Sequence, residues 1–161
     1  METTRILIGI DESKYADYAA EYGFNLARKL DAAVGIVNII EPVPAVVSPM
    51  NDTTFGLPFE GTAEINTVEM MNTQNQAADS LLGRIVQKYG TDLQVTQYTD
   101  YGSSADGIVN CGAQFGATLI VIGTHHRSGF DRLLMGSVAE EVVRKSKVPV
   151  LVVPLNEAET V

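Results

Sequence analysis

The sequence has very little cysteine and no long apolar run. Its 161 residues include one cysteine, Cys111, and no tryptophan. A single cysteine excludes an intrachain disulfide and a thiolate zinc cluster. The longest apolar runs surround Leu119–Ile122 and Val150–Val153, far below the roughly 18 residues of a membrane span. The N-terminal run Ile6–Ile10 is too short for a signal peptide, so we expect a cytoplasmic protein.

Positive charge is also scarce. Eleven Lys and Arg stand against 20 Asp and Glu, which gives a net charge of −9. A nucleic-acid-binding protein needs clustered cations to displace counterions from phosphates, and no basic stripe is present. Binding to an anionic membrane surface is disfavoured for the same reason. A small anion can still bind where local groups outweigh the overall field.

Two nucleotide-binding motifs are absent. There is no GxxxxGK[ST], which excludes a P-loop NTPase, and no GxGxxG, which argues against the usual dinucleotide fold. At 45% apolar and 19% charged residues, the chain is globular rather than disordered. Its length predicts a single domain over 1–161, with a proline-rich flexible loop over 41–60 and a tail over 155–161.

Short β-branched runs alternate with segments of helical periodicity. This order predicts an α/β fold with an open five-stranded parallel sheet, doubly wound in three αβα layers, Rossmann-like or flavodoxin-like with strand order 3-2-1-4-5. Ligands then bind where strands one and four diverge, and Asp11 and Gly123 end those strands. The predicted strands are Arg5–Asp11, Val34–Ile40, Leu93–Tyr98, Thr118–Gly123 and Val148–Val153.

Local signals predict the helices between these strands. Ser13 is a candidate N-cap, and Ser103 with Asp106 and Ser137 with Glu140 have the spacing of capping boxes. A long helix over Thr62–Tyr89 carries Val68, Met71, Ala78, Leu82, Ile85 and Tyr89 on one face. The first helix has Tyr15, Ala19, Tyr22, Leu26 and Leu30 at helical spacing. We expect both faces to pack on the sheet.

The segment from Gly123 to Val138 combines a strand end, a loop and a helix start. Backbone N–H groups at Gly136, Ser137 and Val138 would point out of the helix, where its dipole adds positive charge. Arg127 and Arg132 bring cations to the same segment. These features favour phosphate binding. The alternative is that Ser137 and Glu140 only cap the helix and that the arginines are solvated.

The same residues carry a family resemblance. Gly123, Gly136 and Ser137 match the pattern Gly, two residues, Gly, nine residues, Gly, Ser or Thr, and Asp11 and Ser146–Pro154 match the ends of the first and last strands. The chain therefore resembles the universal stress protein family over nearly its whole length. His126 stands where nucleotide-binding members have their second glycine. Its ring takes space that glycine leaves open, but it can donate a hydrogen bond to phosphate.

The resemblance implies that ATP or another adenine nucleotide binds at the switch point between strands one and four. By position, Ile10, Asp11 and Glu12 would line the ribose and phosphate side, and Ile39 would meet adenine through its backbone. Phosphates or ribose would contact Gly123, His126, Arg127, Gly136, Ser137 and Val138. Asp11 could also bind a nucleotide-bound Mg²⁺, and the alternative is that it caps the first helix with Ser13.

The closing strand Val148–Val153 should lie at a sheet edge, where it could pair with a second copy. The resemblance implies the same homodimer. Two further hypotheses remain: a dimeric stress-response interaction protein without nucleotide, and a slow ATP hydrolase using the same pocket. No catalytic residue is assigned. Cys111, within a helical pattern, is predicted to be a buried, unreactive thiol.

Overall fold

The computed structural model describes residues 3–42, 62–124 and 135–155, with the side chains of 62–66 left undescribed. Strands and helices alternate through these residues. The strands are β1 (Arg5–Gly9), β2 (Ala33–Ile40), β3 (Val95–Tyr101), β4 (Leu119–Gly123) and β5 (Val150–Val153). The helices are α1 (Lys14–Leu30), α2 (Thr62–Tyr89), α3 (Ser104–Phe115) and α4 (Ser137–Lys145).

The five strands form one parallel sheet in the order β3-β2-β1-β4-β5. This confirms the predicted fold class and strand order. β1 pairs with β2 on one side and with β4 on the other, so that Ile8 lies between Ile36 and Val121. The chain therefore changes direction across the sheet between β1 and β4, which is where ligands bind in open sheets of this kind.

Two buried clusters cover the two faces of the sheet. Successive β1 side chains point to opposite faces, so that Ile6 and Ile8 pack with α1 and α2 while Leu7 packs with α3 and α4. Phe24 is the largest fully buried side chain of the first cluster, and Phe115 lies in the second. The molecule therefore has the three αβα layers that the sequence predicts.

Small residues bring α1 very close to the sheet. Its buried residues are Ala16, Ala19, Ala20, Gly23, Phe24 and Ala27. A Cβ at Gly23 would lie 2.7 Å from Cδ1 of Ile8. The prediction that Tyr22 and Leu30 pack on the sheet is wrong, since each is 49% exposed. Side chains of that size on the buried face would hold the helix further away.

Helix α2 is longer than the sheet it covers. Its 28 residues extend about 42 Å at 1.5 Å per residue, against eight residues in β2. Ala78, Leu82 and Ile85 are buried as predicted, but Val68 and Met71 are exposed. The predicted core face is thus right for the second half of the helix and wrong for its start.

Ion pairs join α1 to the end of α2 and the turn beyond it. Nε of Arg28 donates to Oδ2 of Asp92 at 2.8 Å and Nη2 donates to Oδ1 at 2.6 Å. The hydrogen-bonded Arg28 guanidinium lowers the pKa of Asp92 to about 2. Nζ of Lys88 and the hydroxyl of Tyr89 donate to Oδ2 of Asp17 at 2.8 and 2.7 Å. These pairs fix the two helices relative to each other at the surface.

Cys111 is buried in the cluster beneath α3. Burial raises the pKa of its thiol, and the charge of Asp100 raises it further. The thiolate is the reactive form of cysteine, so this environment agrees with the predicted unreactive thiol.

Most of the predicted 41–60 loop and 155–161 tail lies outside the described residues, and so do His125, His126, Arg127 and Arg132. No helix in the part of the chain that the structure describes is long and apolar enough to cross a membrane. The cytoplasmic location stays a prediction from the sequence.

Candidate functional site

A cavity of about 790 Å³ opens at the carboxyl ends of β1, β2 and β4, within the size range of small-molecule sites. Helices α1, α3 and α4 begin at its wall. Its described lining is Gly9, Ile10, Asp11, Ser13, Tyr15, Ala16, Val37, Ile39, Glu41, Ser104, Ile108, Ile122, Gly123 and Met135–Glu140.

The structure brings seven of the ten predicted binding residues together on this wall: Ile10, Asp11, Ile39, Gly123, Gly136, Ser137 and Val138. Glu12 is exposed and is not part of the lining. His126 and Arg127 lie outside the described residues. The wall thus forms where strands one and four diverge, and the roles of the individual residues stay predictions.

The middle of the cavity is apolar and held by backbone contacts. Ile10 and Ile122 are each 4% exposed, and Val37 is 1% exposed. The N–H of Ile10 donates to the carbonyl of Val37 at 2.8 Å, and Nδ2 of Asn38 donates to the carbonyl of Ile10 at 2.9 Å. These bonds extend the β1–β2 pairing one residue past β1 and fix the chain where it enters the cavity wall.

The start of α1 is capped by its own sequence. Oγ of Ser13 accepts a hydrogen bond from the N–H of Ala16 at 3.2 Å, which confirms Ser13 as the N-cap. Oδ1 of Asp11 accepts from the N–H of Ser13 at 2.8 Å. Asp11 therefore stabilises the turn before α1, and it lines the cavity as well.

The start of α3 is held by a residue from another strand. Ser103 is the N-cap residue, but its side chain makes no cap hydrogen bond in the described part of the chain, so the Ser103 half of the predicted capping box is not formed, although a side-chain hydrogen bond from Ser103 helps to lower the pKa of Asp106. Asp106 also accepts from Nζ of Lys145 at 2.8 Å. Oε1 of Glu41, just past β2, accepts from Oγ of Ser104 at 2.7 Å and from its N–H at 3.4 Å.

The start of α4 differs from the other two. Its N-cap is Gly136, with φ of 81°, and no side-chain cap is formed among the described residues. The predicted capping box of Ser137 and Glu140 is wrong, because Ser137 is already helical and Oε1 of Glu140 accepts from Nη2 of Arg144 at 2.7 Å. The first N–H that bonds within the helix is that of Glu140, which donates to the carbonyl of Gly136 at 3.0 Å.

An uncapped helix start has a direct chemical consequence. The N–H groups of Ser137, Val138 and Ala139 precede the first intrahelical donor, and these residues line the cavity. N–H groups in this position, with the positive end of the helix dipole, attract anions such as phosphate and carboxylate. The α4 side of the cavity is therefore suited to an anionic group.

Gly123 is required by packing between α1 and β4. A Cβ on this residue would lie 2.5 Å from the carbonyl oxygen and 2.8 Å from the carbonyl carbon of Tyr15. Both contacts are with backbone, which cannot rotate away. Because Gly123 and Tyr15 both line the cavity, the absence of a side chain at 123 sets how closely the first turn of α1 approaches the end of β4.

The charged side chains on the described part of the wall are all acidic: Asp11, Glu41 and Glu140. Glu41 and Ser104 were not among the predicted site residues, since Glu41 was assigned to the loop and Ser104 to the helix beside its cap. The position of Glu41 just after a predicted strand could have indicated a site residue, because the carboxyl ends of parallel strands meet on the ligand side of the sheet. Within the described residues, no three His, Cys, Asp or Glu side chains cluster as metal ligands.

Comparison with known proteins gives consistent results. The family model described as the Universal stress protein family matches residues 2–154. A universal stress protein of Methanocaldococcus jannaschii is 32% identical over 155 residues, which cover 96% of this chain and 84% of that protein. A universal stress protein of Mycobacterium tuberculosis is 28% identical over 149 residues, and this chain spans 44% of its length.

Solved structures share the fold. UspA, a universal stress protein from Lactobacillus plantarum, matches with a TM-score of 0.71 and 20% identity, covering 95% of this chain and 99% of that one. A universal stress protein in complex with cAMP gives 0.65 and 21%, covering 93% and 96%. One from Archaeoglobus fulgidus in complex with dAMP gives 0.51 and 19%, covering 94% and 97%.

Proposed function

Because the chain belongs to the universal stress protein family, we propose that it is a single-domain stress-response protein that binds an adenine nucleotide in the cavity between β1 and β4. The start of α4 on the cavity wall, which has no side-chain cap among the described residues, carries the proposal, since its first N–H groups are placed to bind phosphate. The cAMP and dAMP in two universal stress proteins of the same fold support the nucleotide class.

In the proposed complex, phosphate accepts hydrogen bonds from the N–H groups of Ser137, Val138 and Ala139. The ribose lies over Asp11, and the base packs on the apolar surface of Ile10 and Ile39. His126 and Arg127 are proposed to add phosphate contacts, as their sequence positions predict. Glu12, which does not line the cavity, has no part in this arrangement.

The acidic wall bears on which nucleotide binds. The charged side chains on the described part of the wall are the carboxylates of Asp11, Glu41 and Glu140, and each added phosphate charge increases the repulsion from those nearest the start of α4. We therefore expect AMP or cAMP to bind more tightly than metal-free ATP. Mg²⁺ would be held mainly by the phosphate oxygens, with Asp11 as the proposed protein carboxylate, and should restore part of the ATP affinity.

Two substitutions at the first position of α4 test the phosphate contact. Ser137→Ala removes only the hydroxyl, whereas Ser137→Pro also removes the N–H while keeping a residue that is well tolerated at the first helical position. A hydrogen bond to a charged group contributes roughly 1.5–3 kcal/mol. By calorimetric titration, we expect Ser137→Pro to bind AMP about 10- to 100-fold more weakly than Ser137→Ala.

Equal AMP affinity of the two variants would contradict the phosphate contact. Failure of AMP, cAMP and ATP with Mg²⁺ to bind the unaltered chain would contradict the proposed function and favour the interaction protein without nucleotide. Adenine absorbance in protein purified without added nucleotide would support binding directly. Phosphate release from ATP and Mg²⁺ would indicate the slow hydrolase.

We also propose a homodimer through β5, the last strand in the order. The carbonyls of Pro149 and Val153 accept from β4 at 3.0 and 3.1 Å, so by strand alternation Val150 and Val152 direct their backbone groups to the open edge. The half-buried β5 residues and the exposed Val143 of α4 give this edge an apolar surface that a second copy could cover.

Val152→Pro removes an outward N–H without touching the β4–β5 bonds, and Val152→Thr keeps both that N–H and the branched shape. By light scattering after size exclusion, we expect a dimer for the Thr variant and a monomer for the Pro variant. A monomeric unaltered chain, or a dimeric Pro variant, would contradict pairing through β5.

A further inference from the structure

Glu41 lies at the opposite end of the cavity from α4. Along the cavity, the strand ends lie in the order β4, β1, β2. The chain enters α4 after β4 and reaches Glu41 directly after β2. Neighbouring strands are spaced by about 4.8 Å, so these ends span about 10 Å between β4 and β2. That span suits a nucleoside monophosphate, with its phosphate at α4 and the far edge of its base near Glu41.

The Glu41 carboxylate is held in a defined position there. Oε1 accepts from both the hydroxyl and the N–H of Ser104, at 2.7 and 3.4 Å. These bonds fix the carboxylate against the start of α3 and occupy one of its oxygens. Oε2 has no hydrogen-bond partner within residues 3–42, 62–124 and 135–155, so it remains available as an acceptor on a residue that lines the cavity.

The contact between Glu41 and Ser104 makes the two ends of the cavity chemically different. The start of α3 already has a carboxylate, so a phosphate placed there would meet negative charge, while the start of α4 has no side-chain cap within 3–42, 62–124 and 135–155. A nucleotide therefore has one favourable orientation, with its phosphate at α4. The base edge that reaches Glu41 meets an ionised acceptor, which favours a donor and repels a carbonyl oxygen.

We infer that Glu41 is a specificity-determining residue that selects 6-aminopurine over 6-oxopurine nucleotides by accepting a hydrogen bond from the exocyclic amino group; this inference rests on the proposed function. A 6-oxo group would place its oxygen against Oε2, and the carboxylate would regain a donor only if the base shifted to present its N1–H in place of the 6-position. A site built for one hydrogen-bonding pattern rejects the analogue that lacks it, because its polar group then loses its partner.

AMP and IMP provide the test, since they share ribose and phosphate and differ in the 6-substituent and in the proton that IMP carries on N1. By calorimetric titration, the unaltered chain should prefer AMP to IMP by about tenfold, which corresponds to about 1.4 kcal/mol. Glu41→Gln keeps a carbonyl oxygen that can hold Ser104, and its amide N–H can donate to the 6-oxo oxygen. We expect its preference to fall to within twofold or to reverse in favour of IMP.

Glu21→Gln, on the exposed surface of α1, makes the same charge change away from the cavity and should keep the tenfold preference. Thermal melts monitored by circular dichroism verify that each variant is folded. If Glu41 only capped α3, Glu41→Gln would change both affinities together and leave their ratio unchanged. An unchanged ratio with AMP still bound would overturn the inference alone. If AMP, cAMP and ATP with Mg²⁺ all fail to bind the unaltered chain, the proposed function fails and the inference fails with it.

Discussion

Gly123→Ala is the substitution that most directly tests the geometry of the site. The new Cβ would lie 2.5 Å from the carbonyl oxygen of Tyr15 and 3.3 Å from the N–H nitrogen of Ala16, where ordinary contact begins at 3.4 Å. The first turn of α1 would therefore have to retreat by about 0.9 Å. Overpacking of this kind costs roughly 1–3 kcal/mol, and we expect a loss of that size in the free energy of unfolding.

The retreat should also affect ligand binding, because Asp11, Ser13 and Tyr15 line the cavity at the start of α1. We expect the AMP affinity of Gly123→Ala to fall along with its stability. Gly83→Ala is the matched control, since it makes the same chemical change on α2 with nothing within 4 Å of the added Cβ. Alanine favours helix over glycine by about 0.5–1 kcal/mol, so this variant should be slightly more stable.

Urea denaturation followed by circular dichroism measures both stabilities, and titration calorimetry measures AMP binding. A Gly123→Ala variant as stable as the Gly83→Ala control, with unchanged affinity, would refute the close approach of α1 to β4. Lower stability with unchanged affinity would mean that the first turn of α1 does not shape the nucleotide site.

Three further predictions concern stability and reactivity. Ser13→Ala removes the N-cap of α1 and should lower the free energy of unfolding by about 1 kcal/mol in urea denaturation, whereas Ser80→Ala on the exposed side of α2 should have little effect; equal losses would contradict the cap. Arg28 holds the pKa of folded Asp92 at about 2, below an unfolded value of about 3.9. The pair therefore stabilises the fold above about pH 4 and ceases to do so as the pH falls towards 2. The difference in Tm between the unaltered chain and Asp92→Asn should shrink over that range, and a constant difference would argue against the pair. Because burial raises the pKa of Cys111, iodoacetamide at neutral pH should modify it far more slowly in the folded chain than in urea, as followed by mass spectrometry; equal rates would contradict its burial.

The sheet and its strand order could be predicted because their signals are local. Buried strands such as Leu119–Gly123 are short apolar runs, and a helical pattern ended by Gly90 predicts α2 over Thr62–Tyr89. Parallel pairing then follows from the helices between the strands. Of the buried face of α1, only Ala19 was predicted, because the periodicity was read from large residues such as Tyr22, whereas the helix packs through alanines, Gly23 and Phe24.

The helix starts at the cavity were harder to predict, since they depend on contacts distant in sequence. Glu41 and Ser104 form a hydrogen bond although they are 63 positions apart in the sequence, and no local sequence pattern predicts such a pair. Ser137 and Glu140 had the right spacing for a capping box, but the positive φ of Gly136 places Ser137 inside the helix. At the predicted phosphate end of the site, the helix therefore lacks the Ser137–Glu140 capping box that the sequence indicated.

The alanines and Gly23 of α1 influence a region that they do not touch. Because they let α1 pack close to the sheet, its first turn lies against Gly123. The gap between α1 and β4 is therefore narrow. The small residues Ala20 and Gly23 therefore set the distance between α1 and the sheet. Larger residues at these two positions would push α1 away from the sheet and widen the gap between its first turn and the end of β4. Residues that do not contact a ligand would thereby change how well the ligand fits the cavity.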